Sequence, residues 1–203
     1  GCSVENKKIY ELIQEQEAQE ADVSVEEIRE KVKLNIETMR STIKTGMCST
    51  EKAISNWCGD DCVKLQKRYL KQNALFGKLF EKIITYSLST IEENLRMGKI
   101  VACPTAGSCG IVPAVLVAVS EEYNITEDEQ INALITAGGI GAIISNKVQL
   151  AGAVAGCQAE CGVAAAMCAG ALAQMLGGSI SEIINAVALA MKNLLGLTCD
   201  PVC

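Results

Sequence analysis

The sequence predicts an all-α fold, a single globular helical domain with Gly- and Ala-rich buried helices. Apolar residues recur at the helical period through most of the chain. Three Ser/Thr-x-x-Glu capping boxes stand in front of apolar runs, at Ser24-Val25-Glu26-Glu27, Thr126-Glu127-Asp128-Glu129 and Ser179-Ile180-Ser181-Glu182. The composition is 49% hydrophobic but only 3% aromatic. A core built from Ala, Ile, Leu, Val and Gly suits closely packed helices better than a sheet sandwich. With 203 residues the chain is long enough for one well-buried domain, or at most two small ones.

Residues 1–46 read as charged N-terminal helices. Ile9, Leu12 and Ile13 form a short apolar stripe, and Ser24 opens a second helix in which Ile28, Val32, Ile36, Met39 and Ile43 share one face. Gly46 is its expected stop. With one buried side and one polar side, these helices suit packing or subunit contact better than chemistry. Residues 47–66, carrying Gly59-Asp60-Asp61, read as a loop. A long helix is expected from about Leu65 to Arg96, closed by Gly98.

From Ile100 the chain turns to Gly, Ala and small apolar residues, and 100–203 is the expected core and site region. The Thr126 and Ser179 boxes start helices there, the second running to Leu195 with Gly196 as its stop. The stretch from Ile131 to Leu176 is apolar enough to suggest membrane spans. Asn146, Lys147, Gln149, Gln158 and Glu160 interrupt it before it reaches the roughly 18–20 apolar residues of a span, so no membrane segment is expected.

Net charge is −6, with no Lys/Arg block in the apolar half, which disfavours nucleic acid as a partner. The chain has 11 cysteines and no histidine. An odd cysteine count without a signal peptide points to a reducing cytoplasm, where thiols pack in cores or bind metal. The lack of histidine removes Cys/His zinc sites, His-containing triads and a histidine base supplied by this chain.

Among the cysteines, Cys58-Gly-Asp-Asp-Cys62 is a loose clip without a second pair nearby. Cys157, Cys161 and Cys168 share a helical face, but at about 1.5 Å rise per residue Cys168 lies roughly 16 Å from Cys157, too far for one cluster. Cys161 and Cys168 are therefore expected as small core residues. Cys157 and Cys199 lie beside glycine and polar residues where loops meet helix ends, a setting that suits either cluster ligands or incidental thiols. In Cys103-Pro-Thr-Ala-Gly-Ser-Cys109-Gly, a Gly-rich turn either offers backbone N–H groups and the Ser108 hydroxyl to a small carboxylate or is a tight turn between helices.

Three segments, CPTAGSCGIV at 103–112, GCQAECG at 156–162 and LGLTCDPV at 195–202, together resemble in order and spacing the signature segments of the iron–sulfur L-serine dehydratase α subunit. The N-terminal helices and the long middle helix are also similar to that subunit, so the resemblance covers nearly the whole chain. It implies an all-helical α domain, a [4Fe–4S] cluster, and L-serine ammonia-lyase activity giving pyruvate and ammonia. An open cluster iron would act as Lewis acid on serine's β-hydroxyl, a poor leaving group. It also implies cluster ligation by Cys157 and Cys199, and a substrate-binding turn at Thr105, Gly107 and Ser108. The family's third ligand follows a proline further on. Cys203 comes too soon after Cys199 to match it, so the chain reads as a domain truncated at its C-terminus. Single-chain members commonly carry Asn where Ala106 stands, whereas two-subunit members often have Ala.

The implied partners are L-serine and a β subunit, the latter as the source of any histidine base, and the fragment alone is expected to be inactive. Rival readings are an L-cysteine desulfidase-like lyase and a non-catalytic helical iron–sulfur scaffold. A pyridoxal-phosphate dehydratase is disfavoured because no alternating strand–helix pattern is present to carry its Schiff-base lysine.

Overall fold

Ser24, Thr126 and Ser179 each accept a hydrogen bond from the backbone N–H three residues on, so all three predicted helix starts form as read. At Thr126 and Ser179 the reciprocal Glu129 and Glu182 contacts complete the box. In the computed structural model, which describes residues 7–72 and 75–196, the helices are α1 (Ile9–Ala21), α2 (Val25–Cys48), α3 (Asp61–Tyr69), α4 (Lys78–Leu95), α5 (Ile111–Tyr123), α6 (Glu127–Ser145), α7 (Gly152–Met175) and α8 (Ile180–Asn193). No strand occurs among the described residues, and the all-α expectation holds.

The core lies where α2, α5, α6 and the second half of α7 meet. Val112, Leu116, Val117, Ile131, Leu134, Ile135, Val163 and Met167 fill it. It is wider than the 100–195 region, because the predicted α2 face delivers Ile36, Met39 and Ile43 into the same cluster. α8 lies at the edge of the bundle and buries only Ile183 completely. Leu195 and Gly196 lie beyond its end, two residues short of the predicted extent.

Gly46 does not stop α2, which runs on to Cys48. A Cβ there would overlap the Ser89 carbonyl of α4, so this glycine lets two helix backbones touch. The long helix expected from Leu65 is two helices, and the expected loop at 47–66 ends in α3. The Glu92 carboxylate explains the start of α3. Its Oε1 accepts from the backbone N–H groups of Asp61 at 2.6 Å and Cys62 at 3.2 Å, capping α3 from 31 residues away. The C-terminus of α4 turns at Met97, with φ 63°, and Gly98 N–H donates to the Glu93 carbonyl.

α7 corrects the membrane reading in one respect. By length and composition it is apolar enough to cross a membrane, because Glu160 is its sole charged residue. Its second half is nonetheless core, with Val163, Ala164, Ala166, Met167 and Ala171 buried.

Replacing Gly46 with Ala is expected to lower stability by about 1–3 kcal/mol despite alanine's better helix propensity, because the methyl group forces α2 off α4. Denaturant titration of the two proteins measures this. An unchanged or raised midpoint contradicts the close-contact assignment.

Candidate functional site

The segment from Cys103 to Gly110 is a compact turn feeding α5, and two helices hold it. On one side, Asn94 of α4 donates from Nδ2 to the Ala106 carbonyl at 3.1 Å. Gly110 packs so closely on Ile91 and Ser87 of α4 that a Cβ would lie 2.8 Å from Ile91 Cγ1. On the other side lies α7. The Thr105 hydroxyl donates to Glu160 Oε1 in a very short contact, and its Oγ1 lies 3.2 Å from the Ser108 hydroxyl oxygen. Ser108 is buried and donates to the Cys103 carbonyl at 3.1 Å, so its hydroxyl shapes the turn from inside. Gly107 is exposed, and a Cβ on it would lie 2.7 Å from Glu160 Oε1 and 2.8 Å from Oε2. The three residues read from the sequence as substrate-binding are therefore together, with the Glu160 carboxylate among them.

Glu160 reaches a second glycine as well. A Cβ on Gly152 would lie 2.6 Å from Oε2. In a straight helix, residues eight apart stand about 12 Å apart along the axis, beyond a glutamate's reach. The chain closes that distance at Gly156, where φ 82° and ψ 162° break α7. This region of backbone space is essentially reserved for glycine. Residues 152–155 fold back over the helix that begins again at Cys157.

Cys157 is exposed at the start of that helix, about one turn from Glu160 on the same face. A soft thiolate at an accessible helix start, just past a break, has the chemistry and access a cluster ligand needs. Cys199 lies outside the described residues, so its predicted approach to Cys157 does too. Among the described residues no three His, Cys, Asp or Glu side chains stand close enough to hold a metal ion.

The other thiols are of a different kind. Burial pushes Cys103 and Cys168 up to about 12, and Cys62 and Cys109 up to about 11, from the ordinary 9.0. Cys62 donates from Sγ to the Thr85 carbonyl at 3.4 Å. Cys168 packs against the core as expected, whereas Cys161, half-buried, has its thiol raised by burial and then by Glu160. Sequence reasoning missed Glu160 as a site residue. The available signal was a lone carboxylate in an otherwise uncharged helix, inside the GCQAECG segment already singled out.

The fold and this turn define a class: an all-helical domain whose candidate site joins a Gly-rich turn to a cysteine-bearing helix start. Residues 4–203 match the family described as serine dehydratase alpha chain, and the chain belongs to that family. It is 39% identical over 202 residues to the L-serine dehydratase alpha chain of Peptoniphilus asaccharolyticus, covering 99% of this chain and 69% of that one. To the probable L-serine dehydratase alpha chain of Bacillus subtilis it is 37% identical over 194 residues, covering 96% and 64%. It is 44% identical over 119 residues to the L-serine dehydratase TdcG of Escherichia coli, covering 58% of this chain and 26% of that protein. The chain thus spans about two thirds of the length of these two alpha chains.

In chelator-treated protein at pH 8, iodoacetamide is expected to modify exposed Cys48 and Cys157 and to spare Cys62, Cys103, Cys109 and Cys168. Peptide mass spectrometry reads the pattern, and modification of Cys103 or Cys109 in folded protein contradicts it. The raised thiols also set a pH dependence. Folding keeps them neutral, so their contribution is complete below about pH 9, the unfolded value, and is lost as pH rises through 11 to 12. The thermal midpoint should fall across that window, and Cys103→Ser, which removes one titrating thiol, should flatten the fall.

Proposed function

We propose that this chain is the catalytic α subunit of an iron–sulfur-dependent L-serine dehydratase, an L-serine ammonia-lyase that forms pyruvate and ammonia in the cytoplasm. The observation that carries the reading is the junction of the Thr105–Ser108 turn with the part of α7 that begins again at Cys157, through Glu160. Family membership and the names of the relatives agree with it.

A [4Fe–4S] cluster held by Cys157, by Cys199 and by a further cysteine would supply an iron acting as Lewis acid toward the β-hydroxyl. This chain's own residues do the rest of the binding. Ala106 and Gly107 are exposed, which leaves the turn's backbone approachable by the substrate carboxylate. Thr105 and Ser108 fix the turn's shape through the hydroxyl contacts described above. Loss of the α-proton and the β-hydroxyl yields aminoacrylate, which tautomerises and hydrolyses to pyruvate and ammonia. The 203 residues given contain no histidine, so a histidine base would come from outside them, and we assign it to the β subunit. Expected partners are therefore L-serine and that β subunit.

The test is an anaerobic assay of the complete α chain with and without β, after reconstitution with iron and sulfide. Serine-dependent pyruvate formation confined to the cluster-loaded pair is the expected result. A loaded pair that turns over cysteine but not serine would favour a desulfidase. A loaded pair inert toward both would favour a scaffold. Cys157→Ser should remove cluster and activity while leaving the helical circular dichroism intact.

A further inference from the structure

Glu160 is the one charged residue of α7, a 24-residue helix otherwise made of Gly, Ala, Cys and other uncharged side chains. It is half-buried and forms no ion pair with any described residue, although the chain carries 18 Lys and Arg. The buried carboxylates Glu92 and Glu93 are served differently, since both share Arg96. Glu160 instead has the Thr105 hydroxyl and two glycines whose missing side chains leave room for its oxygens. A carboxylate withdrawn from water without a cation is poorly compensated by a single hydroxyl. Both glycines would place a Cβ against the mobile end of the glutamate rather than against backbone, so they provide space for the carboxylate and are not demanded by helix packing.

We propose that Glu160 is the countercharge for the α-ammonium of the amino-acid substrate. The proposal rests on the serine dehydratase reading and adds a specificity-determining residue to it. The carboxylate sits at the exposed Gly107, on the turn assigned to the substrate carboxylate, and about one helical turn from Cys157, so all three substrate groups fall within one small volume. An ammonium there meets the only uncompensated negative charge described at the site. Substrates with a neutral group at the α position forfeit that pairing.

The test uses the complete two-subunit holoenzyme, anaerobic and cluster-loaded, as wild type, Glu160→Gln, Glu160→Asp and Gly107→Ala. Iron and sulfide content and circular dichroism are measured beside KM, kcat and the competitive inhibition constants of L-alanine and L-lactate. Those inhibitors differ in carrying an ammonium or a hydroxyl at the α carbon. For Glu160→Gln the expected result is a KM for L-serine raised about 10- to 100-fold, with kcat within a few-fold and cluster content unchanged. The preference for alanine over lactate should collapse by a similar factor. Glu160→Asp should recover part of both, and Gly107→Ala, which displaces the carboxylate, should move both in the same direction as Glu160→Gln.

An unchanged alanine/lactate preference in Glu160→Gln overturns the proposal. So does a kcat loss of more than about 100-fold at unchanged KM, which would make Glu160 the proton acceptor. Loss of the cluster or of helical signal in both Glu160→Gln and Gly107→Ala overturns it too, by making the contact structural. A loaded wild type that leaves serine untouched would instead remove the serine dehydratase reading itself.

Discussion

Close approach of helices through small residues is the constraint on which this structure depends. With so few aromatic side chains, the protein cannot fill wide gaps between helices, and its interior must be packed at short range. Gly46 admits the backbone of α4 at Ser89, Gly139 admits Ile13 of α1, and Gly170 admits Ile140 of α6. Gly141 lies so near Met167 that a Cβ would stand 2.9 Å from its sulfur. Helices held this closely have little freedom to slide, so the turn between Cys103 and Gly110, clamped between α4 and α7, inherits their positions.

A buried ionic group does for the α3–α4 corner what small residues do for the core. Arg96 pairs with Glu93 at 2.7 Å and donates to the backbone carbonyls of Glu51 at 3.0 Å and Gly59 at 2.5 Å. Glu92 spends one oxygen on the start of α3. Its other oxygen accepts no hydrogen bond among the described residues and stands 3.8 Å from Arg96. Such a group orders a loop that has few apolar residues to bury. Its members are interdependent, because removing one leaves a charge desolvated without its partner.

The site shows how a local rule and a distant contact divide the work. Glycine at 156 breaks α7, a local event set by one residue's backbone freedom. The consequence is not local. The break brings Gly152 back to Glu160 and leaves Cys157 exposed at a new helix start, while Glu160 reaches across 55 positions to Thr105. The proposed binding of an amino acid depends on this assembly of turn, break and carboxylate, none of which is a site alone.

Much of this was legible in the sequence. Helical periodicity and the side chains of Ser24, Thr126 and Ser179 determined the fold class and three helix starts, because a cap acts over three residues and can be read in a line. The three cysteine-bearing segments likewise determined the family and the turn at Thr105, Gly107 and Ser108. Only the tertiary structure decided that Gly46 is a contact and not a stop, that α3 begins at Asp61 under a carboxylate from α4, and that Glu160 belongs to the turn. Each of these depends on a partner tens of residues away. A glycine or glutamate in sequence carries no mark of what will lie beside it, since its role is fixed by the packing of helices that share no local signal.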